Sequence, residues 1–385
     1  MADTFDVGVI GAGIHGSSAA FHLASRGMKT VIFERTGPAG GPTGRSSAIC
    51  RAYYTNGFLA RCARDSIEML RRYPEITGAD AEFRHTGLLV LHPPEDAEQV
   101  ERSAGQLNDL SIEVEVLEPG EVRRRHPDID LTGVGVGAWE RGAGYADPAG
   151  ATGGLFRKAA ELGAEHRLGR RVTAVDPKDG GGASVVTEDG DRVDCSRVLI
   201  AAGPWTAELS KTFGVDLPLT VERHIVGVYR WGDARPQPMH SDIIGGYYFR
   251  PEGEELFLVG PLHSAPEVDP DDFPEAASDR ELHELARPVI RRIPALEAST
   301  IHGGWASLYD VSPDWQPMIG EIAPGIFVDA GTSGHGFKLA PALGGHVADM
   351  VAGHEVDEEI HQFHPSRFDE GRQLSAGYGQ ARILG

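Results

Sequence analysis

Residues 5–35, FDVGVIGAGIHGSSAAFHLASRGMKTVIFER, constrain this chain more than any other stretch. Phe5 to Ile10 is a short apolar run, the pattern of a strand buried in a parallel sheet. Gly11, Gly13 and Gly16 follow with G-x-G-x-x-G spacing. A small-residue amphipathic stretch from Ser17 to Ser25 then predicts a helix that ends at Gly27, and a second β-rich run, Thr30 to Phe33, leads to Glu34. Each part suits a dinucleotide. Gly11 permits the tight strand-to-helix turn, Gly13 lets the backbone approach a pyrophosphate, and Gly16 lets the helix pack close to the strand, with the helix N-terminus toward the phosphates. Glu34 lies about 20 residues beyond the glycines, where a carboxylate accepts hydrogen bonds from a ribose diol. Glycines that serve only packing in an ordinary βαβ unit are the competing explanation. Strand, helix, second strand and acid together favour a dinucleotide, and the acid favours FAD or NAD over NADP.

With 385 residues the chain has room for two domains or one large α/β domain. Its formal net charge of −21 argues against nucleic acid or an anionic membrane as partner. Cys50, Cys62 and Cys195 are too few and too scattered for a disulfide framework or a metal cluster. No signal peptide is expected at the N-terminus, and no apolar run approaches the ~18 residues of a membrane span, so the expected setting is the cytoplasm.

Beyond Glu34, residues 36–57 form a Gly/Pro/Ser loop at the carboxyl end of a parallel strand, where such sheets meet cofactors and substrates. Small residues at Ser46, Ser47 and Ala48 would let backbone amides approach a phosphate or a ring. Arg51 is either a ligand-binding cation beside that loop or half of a surface salt bridge. Phe58 to Tyr73 predicts an amphipathic helix with Arg61, Arg64, Arg71 and Arg72 on a solvated face. From about Phe83 to Ala146 the pattern departs: a strand Gly87–Leu91, a polar helix Pro94–Leu110, a short strand Ile112–Leu117, a charged turn Glu121–His126 and a Gly/Val-rich run to Trp139. Asp147-Pro148 opens a helix to Leu162. Arg171–Val175, Ala183–Thr187 and Asp191–Val193 read as a small antiparallel meander, and Arg197–Ala202 as a separate buried strand. Strand-like runs Leu219–Trp231, Tyr247–Arg250, Glu255–Gly260 and Ile301–Asp310 fit a mixed or antiparallel sheet, with a helix Asp279–Arg292 among them. Then come SPDWQPMIG (312–320), a strand Ile326–Gly331, the loop TSGHGFKLAP (332–341) and a helix to about Ala352. The acidic tail beyond Gly353 is expected to be a surface extension.

This set of motifs resembles the D-amino-acid oxidase superfamily of FAD-dependent oxidoreductases, nearest its sarcosine oxidase and glycine oxidase branch. The resemblance rests on GAGIHG, RSSAICR, YADP, IAAGPWT, SPDWQPMIG and SGHGFKLAP, which occur in that order along the chain. It implies an α/β (α+β) fold in which a Rossmann-like FAD domain (1–85, 147–217 and 312–385) is interleaved with a mixed-sheet substrate domain (86–146 and 218–311). It also implies hydride transfer from the carbon beside an amine nitrogen to flavin N5, followed by imine hydrolysis, with a small amine or amino acid as substrate. The implied FAD contacts are Gly11, Ala12, Gly13, Ile14, His15, Gly16, Glu34, Arg35, Arg45, Ser46, Ser47 and Ala48 near the N-terminus. Further along they are Val172, Ala202, Gly203, Trp205, Gly331, Gly334, His335, Gly336, Phe337 and Lys338. Arg51 and Lys338 match the two cations that hold a substrate carboxylate, although Lys338 could instead cap its helix or pair with an acid. Tyr248 and His263 fall near the branch's active-site Tyr and His.

Two positions depart from the branch. Ser307 stands where several sarcosine oxidases carry a flavin-linked Cys, which implies non-covalent FAD. Leu258, or Phe257 if the register slips by one, stands where the branch has a lysine over the flavin, and His263 is the nearest cation in sequence. The electron acceptor is therefore open between O2, as in most of the branch, and another acceptor. A 2-hydroxy acid or glycerol 3-phosphate as substrate, and a flavoprotein subunit of a larger complex in place of a monomer or homo-oligomer, are the rival expectations.

Overall fold

The computed structural model describes residues 4–232 and 236–375. Two eight-stranded sheets organise them. The first is built on the N-terminal unit. Thr4–Ile10 lies parallel between Arg192–Ile200 and Thr30–Glu34, and Glu165–Leu168 extends the sheet in parallel beyond Thr30–Glu34. These central strands are apolar on both faces because helices cover them, as parallel strands require.

Arg192–Ile200 differs from the expected pair of separate strands: it is one continuous strand with two duties. Arg192 to Cys195 pair antiparallel with Ala183–Val186, which continues to Val172–Pro177, while Val198 to Ile200 pair in parallel with Ile326–Val328. Its polar first half faces the meander and its RVLI half enters the core, so composition changes along it without a break in the backbone. Met318–Ala323 closes this edge antiparallel to Ile326–Ala330.

The second sheet runs in the order Thr300–Val311, Thr220–Arg230, Leu256–Pro261, Tyr247–Glu252, His240–Asp242, Leu88–His92, Val136–Glu140 and Val114–Leu117. Its pairings are antiparallel except for His240–Asp242 beside Leu88–His92. The sheet is thus mixed.

The helix Ile14–Ser25 packs against the C-terminal helix Gly336–Ala352 and against Pro148–Glu161. Ser18 donates to Pro341 O at 3.1 Å, and His22 bonds the same carbonyl at 3.0 Å. The Pro148–Glu161 helix starts at the expected signal, with the Asp147 carboxylate accepting from the amides of Ala149 and Gly150.

Three expectations need correction. Glu121–His126 is not a turn; Pro119–Arg125 is a helix with Val122 buried beneath its charged face. The helix Gly57–Arg71 does not hold all its arginines in solvent: Arg61 pairs with Asp357 and Glu359, and Arg64 donates to Leu110 O. The tail is not a surface extension as far as it is described. Ile360 and Phe363 are fully buried, and Arg367 forms a bidentate pair with Asp314 at 2.8 and 2.9 Å. Among the described residues no helix is long and apolar enough to cross a membrane.

Candidate active site

A cleft of about 350 Å³ is lined from both sheets. At one end is the N-terminal unit. Gly11 has φ +101°, and a Cβ there would stand 2.5 Å from Ala201 O, so the turn admits only glycine without strain. Gly16 does not line the cleft; a Cβ on it would collide with Gly11 O, so its task is helix-to-strand packing. Ala12 is fully buried and also stands off the lining, but its amide donates to Glu34 Oε2 at 2.9 Å. Glu34 thereby ties the end of the second strand to the glycine turn, and Oε1 accepts from Thr36 N at 2.8 Å. Oε1 also accepts from the Thr36 hydroxyl at 3.0 Å, so Oε2 keeps the open lone-pair site for a ribose hydroxyl.

His15 lines the cleft while lying almost fully buried. Its Nδ1 donates to Asp329 Oδ2 at 2.8 Å and its Nε2 to Gly336 O at 3.1 Å. Burial alone would lower its pKa, but the Asp329 carboxylate carries it above the ordinary value. An acceptor on each nitrogen favours the doubly protonated ring.

Gly13, Ile14, Arg35, Arg45, Ser46 and Ser47 line the same cleft, as do Val172, Ala202, Gly203 and Trp205. Arg35 stacks on Trp205 at 3.8 Å. Gly334, Gly336, Phe337 and Lys338 complete the expected set from the C-terminal loop. Ala48, Gly331 and His335 do not line it. Ala48 is buried at φ +51°, the Gly331 amide donates to Asp310 Oδ2 at 2.7 Å, and His335 Nδ1 bonds the Tyr54 hydroxyl at 3.2 Å.

Arg51 and Lys338 come from opposite ends of the chain to this one cleft. Arg51 donates to Tyr53 O at 2.5 Å and stacks over Tyr54 at 4.5 Å. Lys338, in the first turn of the C-terminal helix, donates to Gly334 O at 3.4 Å. Burial, and then the charge of Arg51, lower its pKa to about 7. Among the described residues no carboxylate pairs with it.

Tyr248 also lines the cleft and hydrogen-bonds Ser47 and Tyr309; burial raises both tyrosines. Its ring lies over Gly260, where any side chain would collide with it. The structure does not bring His263 to the cleft. That side chain is exposed, its Nδ1 against Ser264 O at 3.2 Å, and the neighbouring Leu262 forms the wall instead.

Sequence reasoning missed His224, Tyr309 and Glu140. The His224 ring stacks on Tyr309 with centroids 3.9 Å apart, and its Nε2 bonds Glu222 Oε2 at 2.9 Å. Burial lowers its pKa, and its buried Nδ1 has no hydrogen-bond partner. Each is a single residue in a strand with no spacing signal to mark it.

An FAD fits this lining. The glycine turn opens onto a helix whose N-cap, Gly13, has no side chain to cap it, although the Thr43 hydroxyl accepts from Ile14 N at 3.2 Å, and the Glu34 carboxylate lines the cleft within reach of a ribose. The orphaned Nδ1 of His224 on the same cleft is an acceptor awaiting a donor.

A family profile described as "DAO: FAD dependent oxidoreductase" matches residues 6–350. Dimethylglycine dehydrogenase of Rattus norvegicus is 26% identical over 99% of this chain and 46% of its own length. Monomeric sarcosine oxidase of Streptomyces avermitilis is 26% identical over 95% of this chain and 98% of its own. The chain therefore spans about half the length of the dimethylglycine dehydrogenases and nearly all of the sarcosine oxidase. Among solved structures, L-proline dehydrogenase from P. horikoshii superposes with TM-score 0.86 at 25% identity over 97% of this chain and all of that one. Glycine oxidase from Geobacillus kaustophilus superposes with TM-score 0.83 at 23% identity, over 95% and 99% of the two chains, and speaks for the fold. With the whole cofactor unit and the C-terminal loop inside the matched span, this chain belongs to the DAO family of FAD-dependent oxidoreductases.

Proposed function

We propose that this protein oxidises the C–N bond of a small carboxylated amine, a primary or N-methylated amino acid, with non-covalently bound FAD. The observation that carries this reading is the meeting of Arg51 and Lys338 in the cofactor cleft, with no carboxylate of the described residues paired to Lys338. A guanidinium and an ammonium together suit a substrate carboxylate, and desolvation strengthens both contacts. The relatives support the class: dimethylglycine, sarcosine and proline, for which the dehydrogenases and the oxidase above are named, are all amines bearing a carboxylate.

When bound, FAD supplies the two-electron acceptor for hydride from the carbon beside the nitrogen. Glu34 and the Gly11–Gly16 turn would hold its ribose and pyrophosphate, and the Gly334–Lys338 segment lines the same cleft, with Gly336 O 3.1 Å from His15 Nε2. Arg51 and Lys338 fix the substrate carboxylate, which orients the reacting carbon. Tyr248, Tyr309 and Leu262 wall the substrate side and exclude water. Imine hydrolysis after release gives the carbonyl product and the freed amine, and O2 or another acceptor takes up the two electrons to complete the turnover.

The domain reading becomes part of this proposal: the first sheet carries the cofactor and the second covers the substrate. Ser307 lines the cleft and donates to Pro42 O at 3.4 Å; a serine there forms no thioether. Cys50, Cys62 and Cys195 are free and buried, as suits a reducing cytoplasmic setting. The reading includes a monomer or homo-oligomer.

Steady-state kinetics of Arg51→Ala test it. Losing one partner of a desolvated charge contact costs about 2–5 kcal/mol, expected as a raised KM with FAD retained. Unchanged kinetics on the true substrate would remove Arg51 from the carboxylate site.

A further inference from the structure

Glu140 ends the strand Val136–Glu140 and is 1% exposed. It lines no part of the cleft, so it does not touch substrate. Its Oε1 accepts from Ala52 N at 2.8 Å and its Oε2 from Tyr53 N at 3.1 Å. Residues 51–54 have no regular secondary structure, and their buried amides need acceptors from elsewhere. A neutral amide side chain offers one oxygen for the two donors; the carboxylate offers two and brings a charge whose burial is costly.

That charge has a counterpart. The Arg51 guanidinium is close enough to be felt at Glu140, and Arg51 donates to Tyr53 O at 2.5 Å. Tyr53 is therefore gripped twice, through its N–H by Glu140 and through its C=O by Arg51. The second sheet, by way of Glu140, sets the segment from which Arg51 enters the cleft.

We propose that Glu140 is a positioning residue for Arg51: it fixes the 51–54 segment so that the guanidinium is held ready for a substrate carboxylate. The inference rests on the carboxylate role given to Arg51 above. Burial pushes Glu140 up to about 7, opposed by the Ala52 amide, Arg51 and the Tyr53 amide.

The test uses purified holoenzyme and propionate as the carboxylate probe, its Kd read from the perturbation of flavin absorbance, beside steady-state kinetics on a carboxylated amine. Glu140→Gln keeps the shape and removes the charge. It should retain bound flavin and kcat, and raise both KM and the propionate Kd about tenfold or more, as displacement of a substrate-orienting group does. Glu140→Asp, charged but one methylene short, should fall between Gln and wild type; it decides the matter if the Gln variant does not fold. Wild-type propionate affinity in either folded variant, or a fall in kcat without change in Kd, would overturn the proposal. Arg51→Lys separates the two readings. If it weakens propionate binding while Glu140→Gln does not, only the positioning role fails. If it leaves propionate binding unchanged, the carboxylate role of Arg51 fails, and with it this inference.

Discussion

The Lys338 ammonium and the Arg51 guanidinium line the same cleft, and the charge of Arg51 adds to burial in bringing Lys338 down to about 7. A like-charge pair in a desolvated place is costly unless an anion joins it. The surroundings do not supply one to Lys338: its neighbours are Arg51, the Gly334 carbonyl and the Cys50 thiol, which burial pushes up to about 12 and so keeps neutral. A carboxylate ligand relieves the repulsion.

A pH dependence follows from that pair. A carboxylate prefers the charged lysine, which predominates below about pH 7 in the free protein, so propionate binding should weaken as pH rises through that value. Lys338→Met should bind more weakly at low pH and lose this fall in affinity, leaving only the opposite, rising dependence that ionisation of Glu140 near the same pH would give. Flavin-monitored titrations across about pH 6–9 check it; a wild-type Kd that is flat over this range contradicts the placement of Lys338.

FAD should come away intact on acid or heat denaturation, leaving a colourless precipitate, because Ser307 offers no thiol. Glu34→Ala should weaken FAD binding by about 1.5–3 kcal/mol, or about 10- to 150-fold. Part of that loss comes from the protein itself, since the Ala12 amide in the glycine turn loses its acceptor. Equilibrium titration of apoprotein with FAD measures it.

The N-terminal unit was legible because its signals are local: an apolar strand, glycines at fixed spacing and an acid within some thirty residues. What was not legible depends on distant partners. Nothing in the polar run Glu165–Leu168 marks it as a strand; pairing with Thr30–Glu34 makes it one. The continuity of Arg192–Ile200 comes from two different neighbours along one edge. In the site, Arg51 and Lys338 were named through motifs and meet in the cleft. Tyr248 and His263 were both placed only by their general position on the substrate sheet; Tyr248 lines the cleft, whereas Leu262 has the wall position in place of His263. Glu140 and His224 carry no local pattern, and the burial that makes them informative exists only in the fold. Tail burial was hidden in the same way, because Arg367 in an acidic tail reads as solvated until Asp314 is placed opposite it.

Arg367 and Asp314 give a stability prediction. Both side chains are 1% exposed, and Arg367 also donates to Phe363 O and Gln316 O. Breaking such a buried pair costs about 3–5 kcal/mol, so Arg367→Ala should lower Tm markedly. Burial alone would raise Asp314, but Arg367 and the Leu374 amide hold it below the ordinary carboxylate value. Its folded pKa thus lies below its unfolded one, and the stabilisation is full above the unfolded value and lost as pH falls through the folded one. Thermal unfolding at neutral and acid pH should show the gap between wild type and variant narrowing on acidification.

The electron acceptor turns on Leu258. It faces the Val226 and Val228 side of the second sheet, and Val226 lines the cleft, whereas Phe257 faces the opposite cluster around Trp231 and Phe249. No cation occupies that position, and His263 is exposed outside the cleft. A fixed positive charge in a dry site stabilises developing superoxide. In stopped flow the reduced wild type should therefore react slowly with O2 and Leu258→Lys faster. A fast wild type unaffected by the lysine would show that oxygen activation has another source.

The most direct test of the central claim is anaerobic reduction of the bound flavin by a panel of primary and N-methylated amino acids, their decarboxylated counterparts and 2-hydroxy acids. Bleaching of the flavin absorbance by one or more of the carboxylated amines, with no bleaching by the decarboxylated amines or the hydroxy acids, is the result expected from Arg51 and Lys338 as a carboxylate site beside FAD. Bleaching by a hydroxy acid and by none of the amines would contradict it.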